Sequence, residues 1–219
     1  MVVSCLALLI LAPALLPGKQ PFTIDRQILQ KAEKSYGPGA RNRLLAWQRL
    51  IREGNLGTER EKLERVNRFF NRMHFIDDTI HWRQEDYWAT PVEFLASNGG
   101  DCEDFALAKY FTLRALDVPE DRLYLTYVKA IRLNRAHMVL AYYPEPGAVP
   151  LVLDNLTGAI EPASKRTDLV PVYSFNGKGL WLAKQRGRGR KVGGSDRLSR
   201  WQQLLARMPD TLIRPNHAR

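Results

Sequence analysis

The apolar positions in the first half of the chain repeat with the period of an α-helix. From about Ala40 to Gly54 they recur every three or four residues, which predicts one amphipathic helix. A second helix is predicted to begin at Thr58, because Glu61 three residues later completes a capping box. The residues before them, Pro21 to Gly39, show only a weak period and predict an irregular lead-in. Both helices are interpreted as scaffold.

The pattern changes at the centre of the chain. Another capping box at Thr90–Glu93, with Pro91 at the first helical position, predicts a short helix that ends at Asn98. The segment from about Cys102 to Leu116 is apolar nearly all round, which predicts a helix in the core. From Arg122 onward the apolar period becomes two, which predicts a long strand.

The next two strands are predicted to form an antiparallel hairpin. Ala136 to Tyr143 and Val149 to Asp154 alternate on either side of the breaker cluster at 144–147. If the hairpin is centred on that cluster and has no bulge, His137 lies directly opposite Asp154. Their Cβ atoms would then be about 5 Å apart on one face of the sheet.

A second hairpin completes the predicted sheet. Pro171 to Phe175 and Gly179 to Leu182 are joined by Asn176-Gly177, a favourable tight-turn pair. Helices followed by antiparallel strands predict an α+β fold, with N-terminal helices and a central helix packed on an antiparallel β-sheet. We expect this domain to span residues 19–182. Residues 183–219 are predicted to be a basic linker and a short C-terminal amphipathic helix.

The N-terminus carries an apolar run over residues 2–16. It is shorter than the roughly 20 residues that a membrane-spanning helix needs, so residues 1–18 are interpreted as a signal peptide. No Lys or Arg precedes the run and no Ala-x-Ala site follows it, so a mis-assigned start codon or an uncleaved anchor stays open. Cys5 lies inside the run, which leaves Cys102 as the single mature thiol and excludes an internal disulfide framework.

The net charge of +10 is concentrated at the C-terminus. Residues 183–219 hold ten Lys or Arg and two Asp, so the rest of the chain is nearly neutral. The tail could contact an anionic partner or a membrane surface, but a solvated linker is the favoured interpretation. Nucleic-acid binding is not predicted.

Cys102 is the candidate nucleophile, because it stands at the start of the central helix. A thiol becomes a useful thiolate beside a helix N-terminus or an imidazolium. His137 is the candidate general base and later acid, and Asp154 the group that fixes its tautomer. The backbone N–H of Cys102 is the candidate oxyanion donor. Trp88 is a candidate second donor, although this aromatic could instead line a substrate groove.

Three acids surround the candidate nucleophile: Asp101, Glu103 and Asp104. Asp101 could serve only as a helix N-cap, and acids in a first turn are ordinary partners of the helix dipole. Three carboxylates around a thiol would oppose its ionisation, however, so a bound hard cation is the sharper hypothesis. Oxygen ligands favour Ca²⁺, although the spacing is not that of an EF-hand.

Several segments together resemble the bacterial transglutaminase-like cysteine proteinases. They are GDCEDFALAKYF, HMVLAYY, PLVLDNL and PVYSFNGKGLW, and the similarity runs from about Trp88 to Trp181. The resemblance implies a papain/transglutaminase-like core in which Cys102 is the nucleophile, His137 the base and Asp154 the orienting acid. It also implies a calcium site that includes Asp101, Glu103 and Asp104.

The resemblance further implies a biological role. Such proteins are periplasmic and calcium-dependent, cleave the N-terminal region of a large surface adhesin after a pair of alanines, and so release cells from a biofilm. An inner-membrane cyclic-di-GMP receptor sequesters them. Two alternatives stay open: a transglutaminase or amidase that passes the acyl group to an amine, and a receptor-bound regulator without activity.

Overall fold

Most of the helices precede the main sheet along the chain, and short ones follow it. A computed structural model describes residues 21–54, 56–182 and 189–213, so the predicted signal peptide and most of the Gly-Arg-rich stretch lie outside the described residues. The helices are α1 Arg26–Tyr36, α2 Pro38–Glu53, α3 Glu59–Phe70, α4 Asp78–His81, α5 Pro91–Ser97, α6 Cys102–Ala115, α7 Ser199–Leu205 and α8 Asp210–Ile213. Among the described residues, none of the helices is both long and apolar enough to cross a membrane.

The strands are β1 His74–Phe75, β2 Gly99–Gly100, β3 Leu123–Ala130, β4 Arg135–Tyr142, β5 Leu151–Leu153, β6 Glu161–Pro162, β7 Leu169–Asn176, β8 Gly179–Leu182 and β9 Lys191–Gly193. The main sheet has seven antiparallel strands in the order β6-β5-β4-β3-β7-β8-β9. The two residues of β1 pair in parallel with the two of β2 and form a separate ribbon. The predicted α+β fold is therefore confirmed.

Helix α6 is the centre of the fold. Its apolar residues are buried on all sides, because it packs against α3, α5 and the central strands β3 and β4. Both predicted capping boxes are formed: the side chains of Thr58 and Glu61 begin α3, and those of Thr90 and Glu93 begin α5. These caps satisfy helix N–H groups that would otherwise lack partners. They fix the ends of two helices that pack on α6.

The prediction that Pro21 to Gly39 form an irregular lead-in is wrong. Helix α1 fills most of it and begins where Asp25 accepts a hydrogen bond from the Gln27 N–H. Leu29 and Ala32 are its buried residues, and this narrow contact explains why the apolar period is weak. Gly37 separates α1 from α2 with φ of 79°, a conformation that favours glycine.

The predicted register between β4 and β5 is also wrong, but its consequence survives. Leu140 pairs with Leu153, and Tyr142 with Leu151, so the ladder is shifted by two residues from the predicted one. Because side chains alternate with period two, a two-residue shift keeps every side chain on its face. His137 and Asp154 are therefore diagonal rather than opposite, and they still contact each other.

The C-terminal helix α7 is packed against α6. Trp201 is 1% exposed and stacks on Phe111, with ring centroids 5.6 Å apart. It also meets the rings of Tyr110 and Phe175 edge to face. The helix therefore buries one large aromatic side chain against the back of the helix that carries Cys102.

Replacing Trp201 with Ala should lower the free energy of unfolding by about 3–5 kcal/mol, because a large buried ring leaves a cavity beside α6. Urea denaturation followed by circular dichroism measures the change. Gln202→Ala, on the exposed side of the same helix, is the matched control and should change stability little. A loss below about 1 kcal/mol for Trp201→Ala would show that the segment contributes little to the core.

Candidate active site

Cys102 is the first residue of α6 and a free thiol. The chain reaches it through β2, where the backbone is packed tightly: a Cβ on Gly100 would lie 2.1 Å from Asp104 Oδ2. Only glycine allows this close approach without displacing the carboxylate. Asp101 is the N-cap residue, but its side chain makes no capping hydrogen bond. The predicted alternative for Asp101, a simple side-chain cap, is therefore not formed.

His137 lies in the middle of β4 and is 1% exposed. Its Nε2 is 2.8 Å from Asp154 Oδ1, and the Asp154 side chain is fully buried. Burial acts to raise the pKa of Asp154, but hydrogen bonds from His137, Leu156 and Arg166 lower it to about 2. An ionised Asp154 accepts the proton of Nε2, which leaves Nδ1 as the basic nitrogen of the ring.

The thiol and the imidazole share one cavity of about 640 Å³. Its lining includes Cys102, His137, Trp88, Tyr127 and Tyr173. The structure thus brings the three predicted catalytic residues together, with Cys102 and His137 facing the cavity and Asp154 buried behind the imidazole. A cavity with an apolar wall and a few convergent polar groups is the ordinary form of a substrate site.

The surroundings oppose ionisation of the thiol. Burial raises the pKa of Cys102, and the neighbouring charges of Glu103 and Asp101 raise it further. The main chain of Met138 acts in the opposite direction but more weakly. The Cys102 Sγ donates a hydrogen bond to Glu103 Oε2 over 3.2 Å, and this contact stabilises the protonated thiol and raises its pKa further.

Two further acids, which the sequence patterns did not single out, join the three predicted ones. Carboxylate oxygens of Asp78, Asp101 and Asp104 lie within 4.8 Å of one another, and so do those of Asp78, Asp86 and Glu103. Asp78 and Asp86 belong to the polar segment between α3 and α5, where no spacing in the sequence distinguishes them from solvated acids.

The acid cluster, defined as Asp78, Asp86, Asp101, Glu103 and Asp104, has the chemistry of a hard-cation site. Within the described part of the chain, three of its buried oxygens lack a hydrogen-bond partner: Asp78 Oδ1, Asp101 Oδ1 and Asp104 Oδ2. Burial, followed by neighbouring negative charge, raises the pKa of Asp101 to about 11. Burial also raises the pKa of Asp78 to about 6 and that of Asp104 well above its usual range. Buried oxygens without donors are the groups that a calcium ion would satisfy.

Trp88 lies in the cavity wall, stacked on Phe175 with ring centroids 5.7 Å apart. Its indole Nε1 donates to Asp86 Oδ1 over 3.0 Å. That donor is therefore occupied in this conformation, and a role in the oxyanion hole stays a prediction. The arrangement fits the alternative expectation that Trp88 lines a substrate groove.

Two buried basic side chains near Asp154 were also not predicted from the sequence. Arg166 Nη2 donates to Asp154 Oδ2 over 2.7 Å. Lys109 is 0% exposed on α6, and burial lowers its pKa to about 7, while the charge of Asp154 acts to raise it. Arg166 lies in a loop without a motif, and Lys109 is a single basic residue between apolar neighbours in the middle of α6. Neither position therefore carries a recognisable signal.

A thiol at the start of a buried helix, an imidazole on β4 and a carboxylate directly after β5 define an enzyme of the cysteine-nucleophile class. Comparison with protein families agrees, because the profile of the bacterial transglutaminase-like cysteine proteinases matches residues 52–182. The chain belongs to this family, whose members are cysteine proteases. A comparison with functionally curated proteins returned no match.

Solved structures of Legionella pneumophila LapG are similar to this chain. An EGTA-treated structure is 46% identical, with a TM-score of 0.75, and the alignment covers 87% of this chain and all of the other. A calcium-bound structure is 47% identical, with a TM-score of 0.72, over 85% of this chain and all of the other. The similarity extends over almost all of the described residues.

Replacing Asp154 with Asn should make the free energy of unfolding fall less steeply as the pH is lowered. A lowered carboxyl pKa contributes stability that is present above the unfolded value of 3.8 and is lost as the pH falls toward 2. The wild-type free energy of unfolding should therefore fall by about 2 kcal/mol more than that of Asp154→Asn between pH 4 and pH 2. Chemical denaturation in chelator at several pH values measures this. The exposed Asp121→Asn variant should keep the wild-type slope, and an equal slope in Asp154→Asn would contradict the assignment.

Proposed function

We propose that this protein is a periplasmic, calcium-dependent cysteine endopeptidase that cleaves the N-terminal region of a large surface adhesin near a pair of alanines. The observation that carries the catalytic part is the 2.8 Å contact between His137 and buried Asp154, beside a cavity shared with Cys102. The adhesin, the periplasm and the biofilm role rest on the family resemblance, and they are supported by similarity to LapG.

The reaction follows from the roles of the three side chains. Nδ1 of His137 removes the proton of Cys102, and the thiolate attacks the carbonyl carbon of the scissile peptide. The Cys102 N–H at the start of α6 donates to the resulting oxyanion. His137 then gives its proton to the leaving amine, which leaves a thioester on Cys102. Water, deprotonated by the same imidazole, hydrolyses the thioester and restores the thiol.

Asp154 keeps the imidazole in the orientation that these steps need. It holds Nε2–H, so Nδ1 is free to accept and release the proton, and it stabilises the imidazolium that forms in each half of the reaction. Asp154 itself stays ionised, in agreement with its pKa of about 2.

The acid cluster would hold calcium through Asp101, Glu103 and Asp104, with Asp78 and Asp86 completing the oxygen ligands. A bound divalent ion would supply positive charge next to the nucleophile. That charge would offset the negative charge of the cluster and so favour the thiolate of Cys102. The calcium-bound structure of the similar LapG supports the identity of the ion.

Two partners are part of the proposal. The substrate is a large adhesin whose extended alanine-containing segment enters the cavity between Trp88 and the C-terminal residues 197–200. The regulator is an inner-membrane cyclic-di-GMP receptor that sequesters the enzyme. Nucleic acid is not proposed as a partner, since the excess basic charge lies in the tail.

Replacing Cys102 with Ala should abolish cleavage of a purified adhesin fragment that carries the di-alanine segment, because no other described thiol is available. Gel electrophoresis and mass spectrometry of the products give the rate and the cleaved bond. A fragment with both alanines replaced by bulky residues is the substrate control. Unchanged cleavage by Cys102→Ala would rule out the proposed nucleophile.

The same preparation separates hydrolysis from acyl transfer. A protease releases two fragments and incorporates no label when a glutamine peptide and a labelled amine are added. Incorporation of the amine would favour the transglutaminase alternative. Absence of both activities, with normal folding and calcium present, would favour a receptor-bound regulator without catalysis.

Removing calcium should abolish cleavage and lower the melting temperature, because the buried carboxylates then lose their counter-charge. Asp101→Asn should weaken calcium binding, measured by calorimetry, and reduce the calcium-induced rise in melting temperature. In chelator the same variant should melt above the wild type, since it removes one acid from the crowded cluster. Asp77→Asn, an exposed acid of the cavity rim outside the cluster, is the matched control. Full cleavage in chelator would reject the ion requirement.

A further inference from the structure

We propose that Arg166 is a positioning residue of the catalytic centre, which holds Asp154 so that its Oδ1 stays aligned with Nε2 of His137. The proposal rests on the proposed hydrolytic function, in which His137 must keep Nδ1 free for the thiol. It extends the predicted group of three side chains to a fourth, which does not line the cavity.

The two oxygens of Asp154 have separate partners. Oδ1 accepts from His137 Nε2 over 2.8 Å and from the Leu156 N–H over 3.0 Å. Oδ2 accepts from Arg166 Nη2 over 2.7 Å. The carboxylate is therefore fixed at both ends, and rotation about its last bond would break the contacts on both oxygens at once.

The backbone alone does not provide this alignment. Strand β5 ends at Leu153, so Asp154 comes directly after the last paired residue of the ladder. His137, in contrast, lies inside the eight-residue strand β4. On the Asp154 side, the Asn71 side chain holds the carbonyl over 2.8 Å and Arg166 holds the carboxylate. Side chains thus replace the ladder where the strand has ended.

Arg166 is also held in place by contacts that do not involve Asp154. Its Nε and Nη2 donate to the two oxygens of Asp168, each over 2.9 Å. Its N–H bonds the Ala163 carbonyl at the end of a short 3-10 turn. The Arg166 side chain is 7% exposed, so water does not compete effectively for the guanidinium. A planar guanidinium anchored in this way presents Nη2 to Oδ2 in one orientation, which a lysine ammonium cannot do.

A second buried cation provides an internal comparison. Lys109 Nζ interacts with Asp154 through charge alone and, within the described residues, has no hydrogen-bond partner. Lys109 therefore represents a basic group near Asp154 that makes no hydrogen bond to the carboxylate. If orientation is required, only the loss of Arg166 should change the chemistry.

The test compares Arg166→Ala, Arg166→Lys and Lys109→Met with the wild type, in calcium, by cleavage of the adhesin fragment. Both Arg166 variants should lower kcat by about 10- to 100-fold, the size of effect that follows loss of an outer hydrogen-bond partner at a metal site, with little change in KM. Added guanidinium chloride at non-denaturing concentration should restore part of kcat in Arg166→Ala but not in Lys109→Met. Sodium chloride at equal concentration is the salt control. Lys109→Met should retain kcat within a few-fold, since it leaves the Asp154 hydrogen bonds intact.

A second readout does not depend on the substrate. The chain has four histidines, so ¹⁵N spectra of the imidazoles can be assigned with a His137→Gln variant. The wild type should show His137 protonated at Nε2, and the Arg166 variants should show a mixture of tautomers. If Arg166→Ala does not fold, Arg166→Lys keeps the charge and carries the same test.

The outcomes separate the two proposals. Wild-type kcat and an unchanged His137 tautomer in Arg166→Lys would overturn the positioning role, and so would an equal loss of kcat in Lys109→Met. A purely structural ion pair predicts a lower melting temperature with normal kcat for the folded fraction, which would also overturn it. If the wild type does not cleave the fragment, the proposed function fails, while the tautomer measurement still decides the role of Arg166.

Discussion

Placing an ionisable thiol among buried carboxylates is the constraint on which the rest of this structure depends. Each unit by which burial displaces a pKa corresponds to about 1.4 kcal/mol between the charged and neutral forms. Burial and neighbouring negative charge raise the pKa values of Asp101 and Asp78, and they raise the pKa of Cys102 in the same way. Both effects thus favour the protonated thiol over the thiolate. Reactivity requires that positive charge be brought to the start of α6.

The fold allows that charge to be brought from two sides of Cys102. On one side, the acid cluster gathers oxygens from the segment before α5 and from the first turn of α6. On the other side, β4 presents His137, whose imidazolium form is stabilised by Asp154. The two sides differ in how they are held: among the described residues, three buried oxygens of the acid cluster lack a hydrogen-bond donor, whereas the Asp154 carboxylate has three donors. The acid side thus depends on a ligand, and the imidazole side is preorganised by the protein.

The sequence predicts those parts of the centre that depend on local patterns. The capping boxes at Thr58 and Thr90 are local signals, and both are formed as expected. The pairing of His137 with Asp154 was predicted from a register that was two residues in error. The contact is nevertheless present, because the face of a strand depends on parity and an even shift preserves it. Local patterns thus determine which face a residue occupies more reliably than which partner it meets.

What the sequence could not show are residues whose role arises only from long-range packing. Asp78 and Asp86 resemble solvated acids until α4 is brought beside α6, and Arg166 resembles an ordinary loop cation until β5 ends at Leu153. Helix α1 was missed for a related reason, since only a narrow stripe of it is buried. In each case the role depends on the distance between two segments, and the periodicity of one segment does not predict that distance.

The C-terminal segment contacts both α6 and the acid cluster. Trp201 packs behind α6, while Arg200 pairs with Asp86 of the acid cluster over 3.0 Å. Arg207 reaches further along the wall and donates to the Trp88 carbonyl. These residues follow the part of the chain that the family profile matches, yet residues 197–200 form one wall of the cavity. The catalytic groups and the wall that faces them are therefore encoded in separate parts of the chain. The hydrogen bonds to the Asp154 carboxylate come from His137, Leu156 and Arg166 and not from residues 197–200. We therefore expect substitutions in this wall to leave the contact between His137 and Asp154 intact while Trp201 holds the wall against α6.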